Sequence, residues 1–353
     1  MEMQIKTTTA AILAVSRQPL LIDEIELPET LEAGQVLVKM LYSGICGSQL
    51  GEIDAIKGPD RYLPHLLGHE GTGRVLAIGP GVRQLAVGDH VILHWRPGRG
   101  IEAAPACYRW RGQPLNAGWV TTFSEHAIVS ENRCTPIPAH LPMDRMALLG
   151  CAVTTALGAL GHEAHLLPGE GLLILGAGGV GQVMVQGGRL MGATPVVAVD
   201  LHQAKLELAL KLGADYGLSG DEPQLEDRLR QLAPGGFEVI VENTGRSQLI
   251  ELAYRLAAPQ GRILLVGVPA PADPVRLDTL PLHFGKLLIG SHGGATVPER
   301  DIPRYLRLIE AGRLDLVQLV SEVLPIAELN RALDDLRAGR VASRSLLKLS
   351  DGL

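Results

Sequence analysis

The chain has 353 residues, enough for about two domains at roughly 150 each, and its 38 acidic against 32 basic residues give a formal net charge of −6. That balance offers no overall attraction for phosphate polymers or anionic membranes, so no nucleic-acid or membrane partner is expected. Hydrophobic residues at 46% and charged ones at 20% are a globular composition, and no apolar run approaches the ~20 residues that span a bilayer. Met1 to Val15 places Lys6 and three threonines where a signal sequence needs an apolar core, so a soluble, cytoplasmic protein is expected.

Up to about Pro142, short β-branched runs alternate with turns. Val36-Leu37-Val38, Arg74 to Ile78 before Gly79-Pro80-Gly81, and His90 to Leu93 predict strands of a β-rich, barrel-like module. From about Ala152 to Gly290 the texture becomes strand, helix, strand. Strands are predicted at Gly171–Leu175, Val196–Val199, Phe237–Val241 and Gly261–Val266, and helices at Val180–Met191 and Lys205–Leu212. That alternation predicts a doubly wound parallel sheet and an α/β fold class. The tail adds helices at Ile302–Ala311 and Ile326–Ala338 and a strand at Ser345–Leu349. One segment stands apart. Trp95, Trp110 and Trp119, with Tyr108 and Phe123, lie among Arg96, Arg99, Arg109 and Arg111, with Glu102 as the only acid. Such a segment is either a surface loop held by aromatics or a pocket wall for an anionic substrate.

The sharpest local motif is Gly176-Ala-Gly178-Gly179-Val180-Gly181, directly after one predicted strand and at the start of a helix. Glycines at this spacing allow a tight turn and close backbone approach to a pyrophosphate, which the helix N-terminus then stabilises. Asp200 ends the next strand, where a carboxylate accepts ribose hydroxyls and repels a 2′-phosphate; no arginine follows it, so NAD is expected over NADP.

The four cysteines, at 46, 107, 134 and 151, lack CxxC spacing and are too sparse for a disulfide scaffold. Cys46, His69 with Glu70, and Cys151 offer the thiols and imidazole that zinc prefers, but at separations that fit no spacing rule. Cys134 reads as a strand residue. Lys57, Asp60 and Arg61 read as a solvated turn, and His162-Glu163-Ala164-His165 misses the HExxH spacing by one residue.

Gly44-Ile45-Cys46-Gly47-Ser48, Gly68-His69-Glu70-Gly71-Thr72-Gly73, Gly150-Cys151-Ala152-Val153-Thr154-Thr155, the glycine turn, Val266-Gly267-Val268 and Leu336 to Leu349 occur in this order. Together they resemble the zinc-dependent medium-chain alcohol dehydrogenases over nearly the whole chain. The resemblance implies a GroES-like catalytic domain from residues 1–152 and 293–353 and a Rossmann NAD-binding domain from 153–292. It implies Cys46, His69 and Cys151 as ligands of one catalytic Zn2+ per chain, Glu70 beside or on the metal, and Ser48 receiving the substrate proton. On the cofactor side it implies Gly176, Gly178, Gly179, Val180 and Gly181, with Asp200, Lys205, Thr155, Val266, Val268 and Arg344, the last near the pyrophosphate.

Two departures stand out. Relatives that bind a structural zinc carry four close cysteines near 95–123, whereas only Cys107 lies here. Several relatives also pass the proton to a histidine shortly after the first zinc cysteine. Here Gln49-Leu50-Gly51 follows Ser48, leaving Glu52, Asp54 or water. The expected activity is hydride transfer between NAD and an alcohol or polyol, the finer expectation being a sugar or polyol phosphate, in a homodimer or homotetramer. A metal-independent reductase of activated double bonds on the same fold and a non-catalytic nucleotide-binding module are the alternatives.

Overall fold

In a computed structural model, which describes residues 5–271 and 273–351, the chain divides into two units. One comprises residues up to Cys151 with 297–304 and Val320 onward; the other comprises 152–296 and 305–319. Residues 293–296 and 305–319, expected with the β-rich domain, pack with the second unit. Met1–Gln4, the start of the segment read against a signal sequence, lie outside the described residues.

The second unit carries a six-stranded, all-parallel sheet. Its order is Tyr216–Ser219, Val196–Asp200, Leu172–Leu175, Phe237–Glu242, Ala257–Leu265, Leu287–Gly290. Chain order therefore reverses between Leu172–Leu175 and Phe237–Glu242, the point where open α/β sheets bind ligands. Leu172–Leu175 is an unbroken apolar run because both of its faces are covered, and all four residues are fully buried. Burial of each such side chain contributes about 1.5–3 kcal/mol. Helices Gly179–Leu190 and Gln203–Lys211 follow the two strands that precede them, as their patterns predict.

The first unit holds two antiparallel-rich sheets. Gln35–Gly44 is the central strand of the larger one, pairing with Glu70–Ile78, His126–Ser130 and Arg344–Lys348. Both of its faces are covered: Val36, Val38 and Met40 enter one core cluster and Leu37 enters the other. The smaller sheet runs His65–Leu66, Thr7–Leu13, Leu21–Glu26, Tyr108–Trp110, Gln113–Leu115. Its last two strands lie within the aromatic, arginine-rich segment, so residues 108–115 of that segment form a hairpin belonging to a sheet. Among the described residues no single helix is long and apolar enough to cross a membrane.

Candidate active site

Sheet register assembles the first half of the site. Ser43 pairs with Gly71 and Glu70 with His94, which sets the segment after Gly44 beside the segment before Glu70. Cys46 then caps helix Gly47–Ile53, and His69 immediately precedes strand Glu70–Ile78. The third member comes from a distant turn. The 3-10 turn Ala147–Gly150 presses against the same strand, so closely that a Cβ on Gly150 would lie 2.8 Å from Glu70 Cα, and Cys151 follows it. One ligand atom from each of Cys46, His69 and Cys151 lies within 4.8 Å of the others. Among the described residues this is the one group of three arranged to hold a metal.

The electrostatics of the trio are unequal. A hydrogen bond from the Cys151 thiol, aided by the Arg344 charge, holds Cys46 well below the usual thiol range despite its burial. The same hydrogen bond, with burial, pushes Cys151 up. Two sulfurs and an imidazole at this separation fit tetrahedral zinc with one position open, the donor set and count of a catalytic site.

Glu70 is fully buried and stands outside the trio, its Oε1 3.5 Å from Arg344 Nε. Gly44 makes room for it, because a Cβ there would meet Oε1 at 2.4 Å. Arg344 lies within this unit beside the metal trio, only 4% exposed. Its Nη1 donates to the Ile45 carbonyl at 2.9 Å. Burial opposes its charge, but Cys46, Glu70 and Cys151 outweigh that and hold its pKa above the usual range. Ser48 is exposed in the first turn of helix Gly47–Ile53. Asp54 is paired with Arg337 at 2.9 Å, whereas Glu52 lies near His69 and His65. Cys107 is exposed and Cys134 is buried in strand Cys134–Ile137, as its sequence context predicts. In the Lys57, Asp60, Arg61 cluster Lys57 and Arg61 are exposed, as a solvated turn predicts, while Asp60 contacts His65 at 2.9 Å and Arg61 lies over the Tyr62 ring.

Gln49 had no role in the sequence reading and is fully buried here. Its Oε1 accepts the Cys46 backbone N–H at 2.6 Å, and its Nε2 lies 2.8 Å from His69 Nδ1. Its position three residues after a helix cap was the available signal.

In the second unit the glycine turn joins strand Leu172–Leu175 to helix Gly179–Leu190. Gly181 is forced by the fold, since a Cβ there would meet the Gly176 carbonyl at 2.3 Å. Gly178 is not, for a Cβ there would meet nothing within 4 Å. The backbone is thus open where a pyrophosphate would approach, and no acidic side chain or side-chain cap fills the first turn of the helix. Asp200 accepts the Ala177 N–H at 2.9 Å and the His202 N–H at 3.0 Å, with Lys205 Nζ 3.7 Å away. Carboxylate lone pairs remain for a ribose. Thr155 is buried in helix Ala152–Gly158, and Val266 and the exposed Val268 follow strand Ala257–Leu265. Three polar residues escaped the sequence reading. Gln182 donates to the Ala177 and Lys205 carbonyls, Asn243 donates to the Gly176 carbonyl, and buried Glu242 accepts the N–H groups of Thr244 and Gly245.

The arginine-rich hairpin is tied to its own unit. Trp110 and Arg111 both donate to Asp23, at 2.8 and 2.9 Å, and Arg109 donates to the Gly112 carbonyl at 2.6 Å. Arg133 lies over Trp119 and pairs with Glu102.

Residues 32–139 match the alcohol dehydrogenase GroES-like domain model and residues 179–311 the zinc-binding dehydrogenase model. Alcohol dehydrogenase 2 of Oryza sativa subsp. japonica is 30% identical over 356 residues, covering 92% of this chain and 93% of the relative. The solved alcohol dehydrogenase zinc-binding domain protein from Burkholderia ambifaria superposes with a TM-score of 0.90 at 28% identity, covering 98% of this chain and all of that one. Benzyl alcohol dehydrogenase from Acinetobacter calcoaceticus gives 0.88 at 26% identity, with the same coverage of both chains. An NAD-linked oxidoreductase working between an alcohol and its carbonyl compound, the chain belongs to the zinc-dependent medium-chain alcohol dehydrogenases.

Proposed function

We propose that the enzyme oxidises a small alcohol or polyol, with Cys46, His69 and Cys151 holding one catalytic zinc and Ser48 receiving the hydroxyl proton. The observation that carries this is the convergence of two sulfurs and one imidazole, from positions 46, 69 and 151, within 4.8 Å. Zinc held there supplies a Lewis acid that lowers the pKa of an alcohol hydroxyl, and NAD supplies the hydride acceptor. Ser48 is exposed two residues after Cys46, able to take that proton and pass it on; with Asp54 paired to Arg337, Glu52 is the carboxylate left as an exit. Glu70 and Arg344 act behind the ligands, the cation favouring thiolate at Cys46 and the carboxylate balancing the cation. Gly176 to Gly181, Asp200 and Lys205 hold the cofactor, with Thr155, Val266 and Val268 as further contacts. A panel of alcohols, polyols and sugar phosphates assayed for NADH formation tests this reading. Turnover by chelator-stripped protein equal to that of the zinc-loaded form overturns it.

The finer reading, a substrate with an anionic group, now rests on Arg96, which stacks on Trp95, and on exposed Arg99, since Arg109 and Arg111 serve the hairpin. If those two grip the substrate, KM rises with ionic strength and Arg96→Ala or Arg99→Ala raises it about ten- to a hundredfold, for ~1.5–3 kcal/mol per charge-assisted hydrogen bond. A KM indifferent to both overturns the finer reading. We also place the enzyme in the cytoplasm as a homo-oligomer. Assembly is supported by the edge strand Leu287–Gly290 and the exposed Leu280, Leu282, Phe284 and Leu287 around it, Phe284 being 68% exposed.

A further inference from the structure

We propose, resting on the zinc reading above, that Gln49 opposes metal loading: its buried amide holds His69 in the hydrogen-bonding state that a metal ligand must leave. A backbone N–H can only donate, so the Gln49 atom 2.6 Å from the Cys46 nitrogen must be the amide oxygen. That fixes the other end of the amide, and an NH2 group, also donor only, therefore faces His69 Nδ1 at 2.8 Å. Nδ1 must accept with its lone pair. A neutral imidazole that accepts at Nδ1 carries its proton on Nε2.

With Nδ1 taken by Gln49, Nε2 is the nitrogen left to join the two cysteines. A ligating nitrogen needs its own lone pair, and in metal sites the other ring N–H is normally donated to an acceptor. Gln49 offers none in this orientation. Loading then requires the amide to turn over, which brings its oxygen to His69 and leaves the Cys46 N–H facing an NH2 group. The alternative is to give up the Gln49 to His69 contact. Either way the loaded site lacks one buried hydrogen bond that the metal-free site has. Glutamate has nearly the same shape and accepts at both ends, so it satisfies Cys46 and a ligating His69 together.

The test is the zinc dissociation constant, measured by competition with a chromophoric chelator, for wild type, Gln49→Glu and Gln49→Met. Thermal melts of the metal-free proteins confirm folding. Gln49→Glu is expected to bind zinc about ten- to a hundredfold more tightly than wild type, the usual size of effects from groups behind the ligands. Its added charge attracts zinc by itself, so Gln49→Met carries the discrimination. Methionine removes both contacts, so loading no longer costs the Gln49 to His69 bond, and it is expected to bind zinc about three- to tenfold more tightly than wild type, the worth of one hydrogen bond. If Gln49→Met binds zinc no more tightly than wild type, or about tenfold more weakly as a supporting Gln49 would give, the proposal fails while the zinc site stands. Gln49→Glu binding no tighter than wild type also overturns it. Absence of zinc binding in all three proteins overturns the zinc reading together with the proposal. If Gln49→Glu does not fold, the methionine comparison still decides.

Discussion

The glycine turn of the parallel-sheet unit is made from six consecutive residues, 176–181, whereas the metal trio of the β-rich unit draws on positions 46, 69 and 151. The first is a local solution. One strand, one tight turn and one helix start suffice to present backbone N–H groups, and the sequence spacing is itself the geometry. The second is a tertiary solution. It depends on the register of Gln35–Gly44 against Glu70–Ile78 and on a turn from residues 147–150 pressed against that pair. Polar support differs in the same way. Asp200 and Gln182 brace the turn from the next strand and its own helix, while Arg344 braces the trio from the far end of the chain.

The comparison is broken most sharply by disabling one region and reading the other. Cys46→Ser or His69→Ala is expected to lower turnover about a thousandfold or more, ~4 kcal/mol in the barrier, while NAD binding followed by fluorescence stays within about twofold. Loss of NAD binding in those variants contradicts the independence of the two sites.

Acid distinguishes the units through His94. Burial lowers its pKa to about 4, and the ring is satisfied as the neutral form, between the Arg96 carbonyl at 2.8 Å and the Thr135 hydroxyl at 2.9 Å. Because the folded value lies below the unfolded one, near 6.5, this contribution is fully present above pH ~6.5 and is lost as pH falls toward about 4. The loss amounts to about 3 kcal/mol. All three tryptophans lie in the β-rich unit, so their fluorescence during denaturant unfolding reads it directly. His94→Asn is expected to flatten the slope of stability against pH across that window; an unchanged slope assigns it to other groups.

Gly181→Val is the mirror of the ligand variants. Its side chain meets the Gly176 carbonyl, so NAD affinity is expected to fall about a hundredfold, ~2.7 kcal/mol, with zinc content unchanged in isolated folded protein. Smaller still is the effect at Asp200. Wild type is expected to prefer NAD over NADP by at least about tenfold in kcat/KM, ~1.4 kcal/mol, and Asp200→Ala to narrow that gap. Equal use of both cofactors by wild type removes Asp200 as the selector.

What was legible in the sequence follows the same division. The parallel sheet could be read from Leu172–Leu175 and Val196–Val199 because buried strands are continuous apolar runs, and the helices that follow them read as one long apolar run and one amphipathic run. The trio was legible only as a resemblance, since no spacing rule joins positions 46 and 151. Gln49, Gln182 and Glu242 were not legible, because a buried polar side chain is recognised by the backbone groups it satisfies, and those are set by tertiary contacts. The arginines between 96 and 111 were legible as a positive segment, but not that Asp23 and the Gly112 carbonyl already engage two of them.

The central claim is that one zinc sits on the trio and on nothing else in the chain, so metal counting by elemental analysis, on wild type and Cys151→Ser purified alike without chelators, tests it most directly. Wild type should hold about one zinc per chain, as a catalytic site alone requires, and the folded variant should hold close to none. Close to two per chain in wild type, or a variant that keeps its zinc, contradicts the claim.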